Sequence, residues 1–160
     1  MESPFTRPAD TGYAYHVRPD DVDRLFAELE AMGSPDLRID AFPQFSGRRV
    51  HALTATARGG DASSRRRLFV SRPHAHEPAG TAAGTELIRA LAGHGEYAGR
   101  FDEWRRWALE HFVITVVPDA NPGGSARAPV TFWDGSEIPN ERFFLWMFGF
   151  TINILTLLGI

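Results

Sequence analysis

The chain has 160 residues, of which 43% are hydrophobic, and a formal net charge of -3. This length and composition predict one domain with a sizeable core, and the weak, interspersed charge argues against a surface that binds nucleic acid. Cysteine and lysine are both absent from the sequence, which excludes disulfides, thiolate metal sites, cysteine nucleophiles, the P-loop lysine and Schiff-base chemistry.

An amphipathic helix is the first element that the sequence predicts. It begins at Asp20 or Asp21, either of which can cap its amino end, and it ends at Gly33. Its apolar positions repeat with the period of an α-helix and are expected to face the core. They are Val22, Leu25, Phe26, Leu29 and Met32.

Three predicted strands follow this helix. Segments 37–42 and 50–57 have the pattern of a hairpin joined across a turn at 46–49. The third strand is the short apolar run Leu68–Val70. Three arginines at 65–67 precede it and are expected to be exposed to solvent. Such a continuous apolar run is typical of a strand that is buried on both faces.

Two helices and a fourth strand complete the predicted order. Residues 78–92, rich in alanine and glycine, predict a helix that lies close against a sheet and ends at Gly93. A second amphipathic helix is predicted over 102–110 and a second buried strand over 112–117. The order α, β, β, β, α, α, β predicts an α/β fold with a mixed β-sheet flanked by helices.

A His-x-x-Glu step, from His74 to Glu77, stands between the apolar run and the helix at 78–92. Imidazole nitrogen and carboxylate oxygen are good zinc donors, and this spacing lets one turn of backbone aim both at a single ion. Bare matches are frequent by chance, because the chain has six histidines and ten glutamates. A hydrolytic zinc site is nevertheless the leading hypothesis, although zinc needs a third protein ligand and catalysis also needs a base.

His74 and Asn121 each lie just past the end of a predicted strand. Ligands of α/β folds collect beyond the carboxyl ends of strands, so the two loops are expected to meet at one crevice. Asn121, within Asn-Pro-Gly-Gly, is predicted to be a turn former whose side chain ties its own loop. His76 is predicted to face solvent or to support a ligand, and Asp119 to cap its loop or else to orient a zinc-bound imidazole.

The two ends of the chain have distinct compositions. The first ten residues lack the apolar segment of a secretory signal, so a cytoplasmic location is expected. Residues 143–160 carry no charge, and as a helix they would span about 27 Å, close to the apolar thickness of a membrane. We therefore predict a partial α/β domain at 1–142 and an apolar tail at 143–160. The tail is a truncated or foreign end, a buried element or a membrane contact.

Four segments of the chain together carry a family resemblance. They are Ala-Met-Gly-Ser-Pro-Asp at 31–36, Phe-Ser-Gly-Arg-Arg-Val-His-Ala-Leu at 45–53, Pro-His-Ala-His-Glu-Pro-Ala-Gly at 73–80 and Val-Pro-Asp-Ala-Asn-Pro-Gly-Gly at 117–124. In this order they resemble the helix exit, strand pair, zinc segment and Asn-Pro turn of the zinc carboxypeptidases, the carboxypeptidase A-like or funnelin family. The resemblance covers roughly residues 13–135, the amino-terminal half of that fold.

The resemblance implies a zinc-dependent hydrolase that cleaves carboxy-terminal residues, or related amide bonds, by means of metal-activated water. It implies His74 and Glu77 as ligands of Zn²⁺ and a peptide or small amide as the substrate. One departure is that Arg72-Pro73 replaces the glycine pair that usually precedes the histidine.

Other departures concern the rest of the catalytic machinery. The family's third histidine ligand, its substrate-binding residues and its glutamate base have no counterpart before Ile160. Neither Arg127 nor Arg142 matches the position of the arginine that stabilises the oxyanion. The chain is therefore interpreted as an apparently truncated part of such an enzyme, which lacks the catalytic half.

Two alternatives stay open. The aspartoacylase and succinylglutamate deacylase families share a similar zinc segment and a related fold, so acyl-amino acids are a second substrate class. The second alternative is a catalytically inactive, truncated domain. Such a domain binds a partner, or contacts a membrane through residues 143–160.

Overall fold

The structure, a computed structural model, describes residues 18–75 and 77–127. A four-stranded sheet organises this part of the chain, with the spatial order β1-β2-β4-β3. The strands are β1 (Leu37–Pro43), β2 (Arg49–Ala55), β3 (Arg66–Ser71) and β4 (Phe112–Val117). β2 pairs antiparallel with β1 and β4, whereas β3 runs parallel to β4, so the predicted mixed sheet and the predicted hairpin are confirmed.

Four α-helices accompany the sheet within the described residues: α1 (Pro19–Met32), α2 (Pro78–Ala92), α3 (Asp102–His111) and the single turn α4 (Pro122–Ser125). Short 3₁₀ turns occupy Ala62–Ser64 and Gly95–Tyr97. Both predicted glycine ends are confirmed, because Gly33 and Gly93 take the left-handed conformation with φ of 61° and 62°.

One core joins α1, α2 and α3 to a single face of the sheet. The pairs Leu53–Val116 and Ala55–Ile114 lie opposite each other in the register of β2 and β4, so their side chains share that face. The helices cover them with residues that are 0–3% exposed: Val22, Leu25, Phe26, Leu29, Ile88, Leu91, Ala108 and Leu109. The prediction for Met32 is wrong, because this side chain at the last position of α1 is 44% exposed.

The predicted burial of β3 is wrong for the described part of the chain. Leu68 and Phe69 are 46% and 68% exposed, although they lie on opposite faces of the strand. β3 occupies the edge of the described sheet, where β4 is its sole partner among those residues. The apolar run is therefore largely exposed, whereas most of β4 and the second half of β2 are buried.

The predictions about the domain boundary and the apolar tail concern residues near the carboxyl end of the sequence. The boundary predicted between residues 142 and 143 lies outside the described residues. Within 18–75 and 77–127, no helix combines the length and the apolar character that a membrane crossing requires.

Candidate functional site

The loops that follow β3 and β4 meet at one edge of the sheet. These strands are parallel neighbours, so their carboxyl ends point the same way. Two backbone hydrogen bonds extend the pairing past the strands: the Arg72 amide donates to the Val117 carbonyl at 3.2 Å, and the Ala120 amide donates to the Arg72 carbonyl at 3.1 Å. The predicted meeting of the two loops is confirmed.

His74 and Glu77 lie side by side in the first of these loops. Nδ1 of His74 is 3.1 Å from Oε2 of Glu77, and the two side chains are 64% and 49% exposed. The Glu77 amide donates a 3.2 Å hydrogen bond to the His74 carbonyl, a contact of the i to i+3 turn type. Glu77 then precedes the first residue of α2, so the helix start fixes the direction of its backbone.

This pair has the geometry of two ligands of one small ion. Zinc binds imidazole nitrogen and carboxylate oxygen at roughly 2.0–2.2 Å, so two donors in a tetrahedral site lie about 3.3 Å apart. The observed 3.1 Å is the length of a direct hydrogen bond between the two side chains, and it is also close to that separation. The residues therefore fit two of the four positions of a zinc site.

The described residues do not supply the other positions. No group of three or more histidine, aspartate or glutamate side chains among them is arranged to hold a metal ion. His51 pairs with Asp23 at 2.8 Å and His94 lies 3.5 Å from Glu28, so both histidines face α1. His16, His76 and Arg142 lie outside the described residues. The assignment of His74 and Glu77 as ligands stays a prediction.

A buried ion pair holds the two loops together beneath this turn. Arg72 and Asp119 are 6% and 2% exposed, and Nη2 of Arg72 lies 3.3 Å from Oδ2 of Asp119. Oδ1 of Asp119 accepts hydrogen bonds of 3.0 Å from the Asn121 amide and from the Ser125 hydroxyl. Asp119 thus caps its own loop, as one of its two predicted roles requires, and its partner is an arginine rather than His74.

The charge of Arg72 survives this burial. Burial lowers the pKa of the Arg72 guanidinium from its ordinary value, whereas the carboxylates of Asp119 and Glu77 act to raise it. A guanidinium is ionised throughout the physiological range even after such a shift. The loops therefore enclose a true cation, which depends on Asp119 for compensation.

Asn121 and the β1–β2 hairpin close the other side of the site. The Asn121 side chain accepts a 3.1 Å hydrogen bond from the Gly124 amide, which confirms that it ties its own turn. It also accepts from the Gln44 side chain at 3.1 Å, and the Gly123 amide donates to Gln44 at 2.9 Å. A Cβ at Gly123 would lie 2.6 Å from the Ser46 hydroxyl, so this close approach requires glycine.

A cavity of about 380 Å³ lies beside the candidate ligands, between β3 and α2. Glu77 and Pro73 are among the lining residues, together with Val70, Ala83 and Leu87. Its volume is in the range of small-molecule sites, which are largely apolar with a few polar groups. The arrangement can accept an apolar group next to the Glu77 carboxylate.

The fold agrees with that of solved metallocarboxypeptidases. The chain matches a metallo-carboxypeptidase from Burkholderia cenocepacia with a TM-score of 0.54 and 19% identity over 77% of this chain and 34% of that one. It matches the carboxypeptidase A of Helicoverpa armigera with a TM-score of 0.55 and 18% identity over 72% and 26% of the two chains. Thrombin activatable fibrinolysis inhibitor gives a TM-score of 0.53 and 15% identity over 69% and 26%.

The chain has a zinc-carboxypeptidase-like fold. It spans between a quarter and about a third of the length of these structures. No protein-family model and no curated protein sequence matches it. The likeness therefore concerns the fold, and the chemistry depends on the residues at the loop edge.

Sequence reasoning missed the part played by Arg72, which it recorded only as a departure from a glycine pair. A signal was present nevertheless. Arg72 follows β3 directly, and Asp119 stands two residues after β4. Opposite charges just past the ends of parallel neighbouring strands are placed to meet, and this pattern predicts an ion pair between the loops.

Proposed function

We propose that the chain is part of a zinc-dependent metallocarboxypeptidase-like hydrolase, in which His74 and Glu77 bind the metal. The observation that supports this most strongly is the 3.1 Å separation of His74 Nδ1 and Glu77 Oε2. The pair lies beyond the carboxyl end of β3, where ligands of α/β folds bind. The neighbouring solved structures named as carboxypeptidases have the same fold.

Each residue has a definite part in this proposal. His74 and Glu77 offer one neutral and one anionic donor, which leaves positions for a third ligand and for water. Zinc, when bound, polarises the scissile carbonyl and lowers the pKa of water. The cavity beside Glu77 receives an apolar part of a peptide or small amide substrate. The third ligand, the general base and the oxyanion group are not assigned to any described residue.

One observation favours a second candidate, a domain that binds without catalysis. The described residues bring two donors together at this edge, and among those residues no group of three histidines or carboxylates is arranged to hold a metal ion. A two-ligand site holds zinc weakly and supplies no base. The strength of zinc binding by this chain therefore separates an incomplete site from a complete one.

Zinc titration of the purified chain tests the ligand assignment. We expect His74→Ala and Glu77→Gln each to weaken zinc binding by at least about tenfold, or about 1.4 kcal/mol, because each removes a direct donor. Isothermal titration calorimetry measures this. His111→Ala and Glu110→Gln are matched controls, since both side chains are exposed at the end of α3. Equal affinities for the wild type and the His74 and Glu77 variants would contradict the assignment.

Substrate preference is tested on the same protein loaded with zinc, from which we expect little turnover because two donors alone supply no base. A carboxypeptidase-like protein releases the carboxy-terminal residue of an amino-blocked dipeptide, whereas a deacylase cleaves an acyl-amino acid. Release of amino acid is followed by chromatography, with Glu77→Gln as the blank. Turnover of the acyl-amino acid alone would favour the deacylase alternative.

A further inference from the structure

Arg72 makes more polar contacts than any other side chain at the loop edge. Its Nη1 donates to the His74 carbonyl at 2.8 Å and to the Ser125 hydroxyl at 2.9 Å. Nε donates to the Thr81 hydroxyl at 2.7 Å. Nη2 also donates to that hydroxyl and faces Asp119. One planar group thus joins the His74 turn, the first turn of α2 and the loop after β4.

The contact with the His74 carbonyl acts on the candidate ligands. That carbonyl accepts the hydrogen bond that closes the turn between His74 and Glu77. A second donor on the same oxygen fixes the orientation of the peptide after His74, and with it the direction of the backbone toward Glu77. The buried Arg72 guanidinium therefore holds the backbone that carries the exposed side chains of His74 and Glu77.

The surroundings of Arg72 are shaped to admit its side chain. A Cβ at Gly80 in α2 would lie 2.5 Å from Arg72 Cγ, so glycine at this helical position leaves room for the arginine stem. Thr81, whose hydroxyl accepts from the guanidinium, is 0% exposed. Lysine has a single terminal nitrogen and lacks the fixed fork of arginine, so it cannot serve all these acceptors together.

We propose that Arg72 is a positioning residue for the His74–Glu77 pair: it holds the turn in the geometry that lets both donors reach one metal ion. This inference rests on the proposed function, since it concerns the same pair. It assigns to Arg72 a part that no resemblance carries over, because this chain has Arg72-Pro73 in place of the family's glycines. The fork contacts the His74 backbone, so its influence on the metal passes through His74.

The test compares conservative substitutions of two arginine forks, the buried Arg72 and the half-buried Arg65. Arg72→Lys retains the charge next to Asp119 but loses the fork. Arg65→Lys is the matched control, because Arg65 donates to the Thr56 hydroxyl and to the carbonyls of Ala57 and Gly59. Arg65 lies before β3 and His74 after it, so the control perturbs the opposite end of the same strand.

Two readouts are recorded for each variant. The first, without metal, is the set of carbon–proton NMR signals of the His74 ring and their nuclear Overhauser contacts with the Glu77 side chain. The second is zinc affinity by calorimetry. Arg72→Lys is expected to shift the His74 signals, weaken those contacts and lower zinc affinity by about tenfold. Arg65→Lys is expected to change neither.

The positioning role is overturned if Arg72→Lys leaves the His74 signals and the His74–Glu77 contacts as they are in the wild type. A purely structural role predicts that result together with a lower melting temperature. Absence of zinc binding by the wild type would refute the proposed function, while the metal-free spectra still decide the positioning. Should Arg72→Lys fail to fold, Arg72→Met/Asp119→Asn removes both buried charges together and enters the same comparison.

Discussion

Replacing Asp119 by alanine is expected to lower the free energy of unfolding by about 3–5 kcal/mol. The substitution leaves the buried Arg72 guanidinium without its counter-ion, and breaking one side of a buried pair costs more than the pair contributes. It also removes the acceptor of the Asn121 amide and the Ser125 hydroxyl. Urea unfolding followed by circular dichroism measures the change, which is expected at constant m-value.

The matched control is Asp40→Ala. Asp40 also pairs with an arginine, since its Oδ2 accepts from Arg38 Nε at 2.9 Å, but these side chains are 34% and 72% exposed. Water screens such a pair, so the expected loss is below about 1 kcal/mol. Similar losses for Asp119→Ala and Asp40→Ala would show that the buried pair does not hold the loops together.

Local signals predicted most of the described fold. The helical period of α1 identified four positions that are 1–3% exposed, and glycines in the left-handed conformation marked the ends of α1 and α2. The hairpin followed from a turn between two strand-like runs. In each case the information lies within a few residues of the element that it determines.

Exposure of individual strands was less predictable, because it depends on which strands become neighbours. The apolar run of β3 and that of β4 are alike in local pattern, and nothing in that pattern distinguishes their burial. β4 lies between β2 and β3, while β3 has one partner among the described residues. Burial of a strand is thus a property of sheet order, which a short apolar run does not encode.

The contacts of the candidate site likewise divide into one that local spacing predicts and one that depends on strand order. His74 and Glu77 are three residues apart, so their spacing alone predicted that they would face each other. Arg72 and Asp119 meet across a separation that spans α2, α3 and β4. Charges on both sides of a fold can pair in many ways, and only the parallel order of β3 and β4 selects this pair.

Gly80→Ala is the second substitution with a large expected effect. The new Cβ would lie 2.5 Å from Arg72 Cγ, whose guanidinium cannot retreat without leaving its acceptors. Overpacking of this kind costs about 1–3 kcal/mol. Alanine returns up to about 1 kcal/mol through its helix propensity, so the expected net result is a moderate loss of stability in urea unfolding.

The cause of that loss is tested by repeating Gly80→Ala in an Arg72→Ala/Asp119→Asn background, which lacks Cγ and both buried charges. There the 2.5 Å contact is gone and only the 3.3 Å contact with Cβ of residue 72 remains, so the loss caused by Gly80→Ala is expected to shrink to near zero. Gly84→Ala is the control, because the nearest neighbours of its Cβ belong to Pro118 and Val116, so its effect is expected to be the same in both backgrounds. If the loss of stability shrinks for Gly80→Ala and not for Gly84→Ala, the glycine at position 80 is needed because of the arginine side chain. Equal losses for Gly80→Ala in both backgrounds would mean that α2 and the loop after β3 fit together without Arg72. The guanidinium would then contribute nothing to the packing of the site.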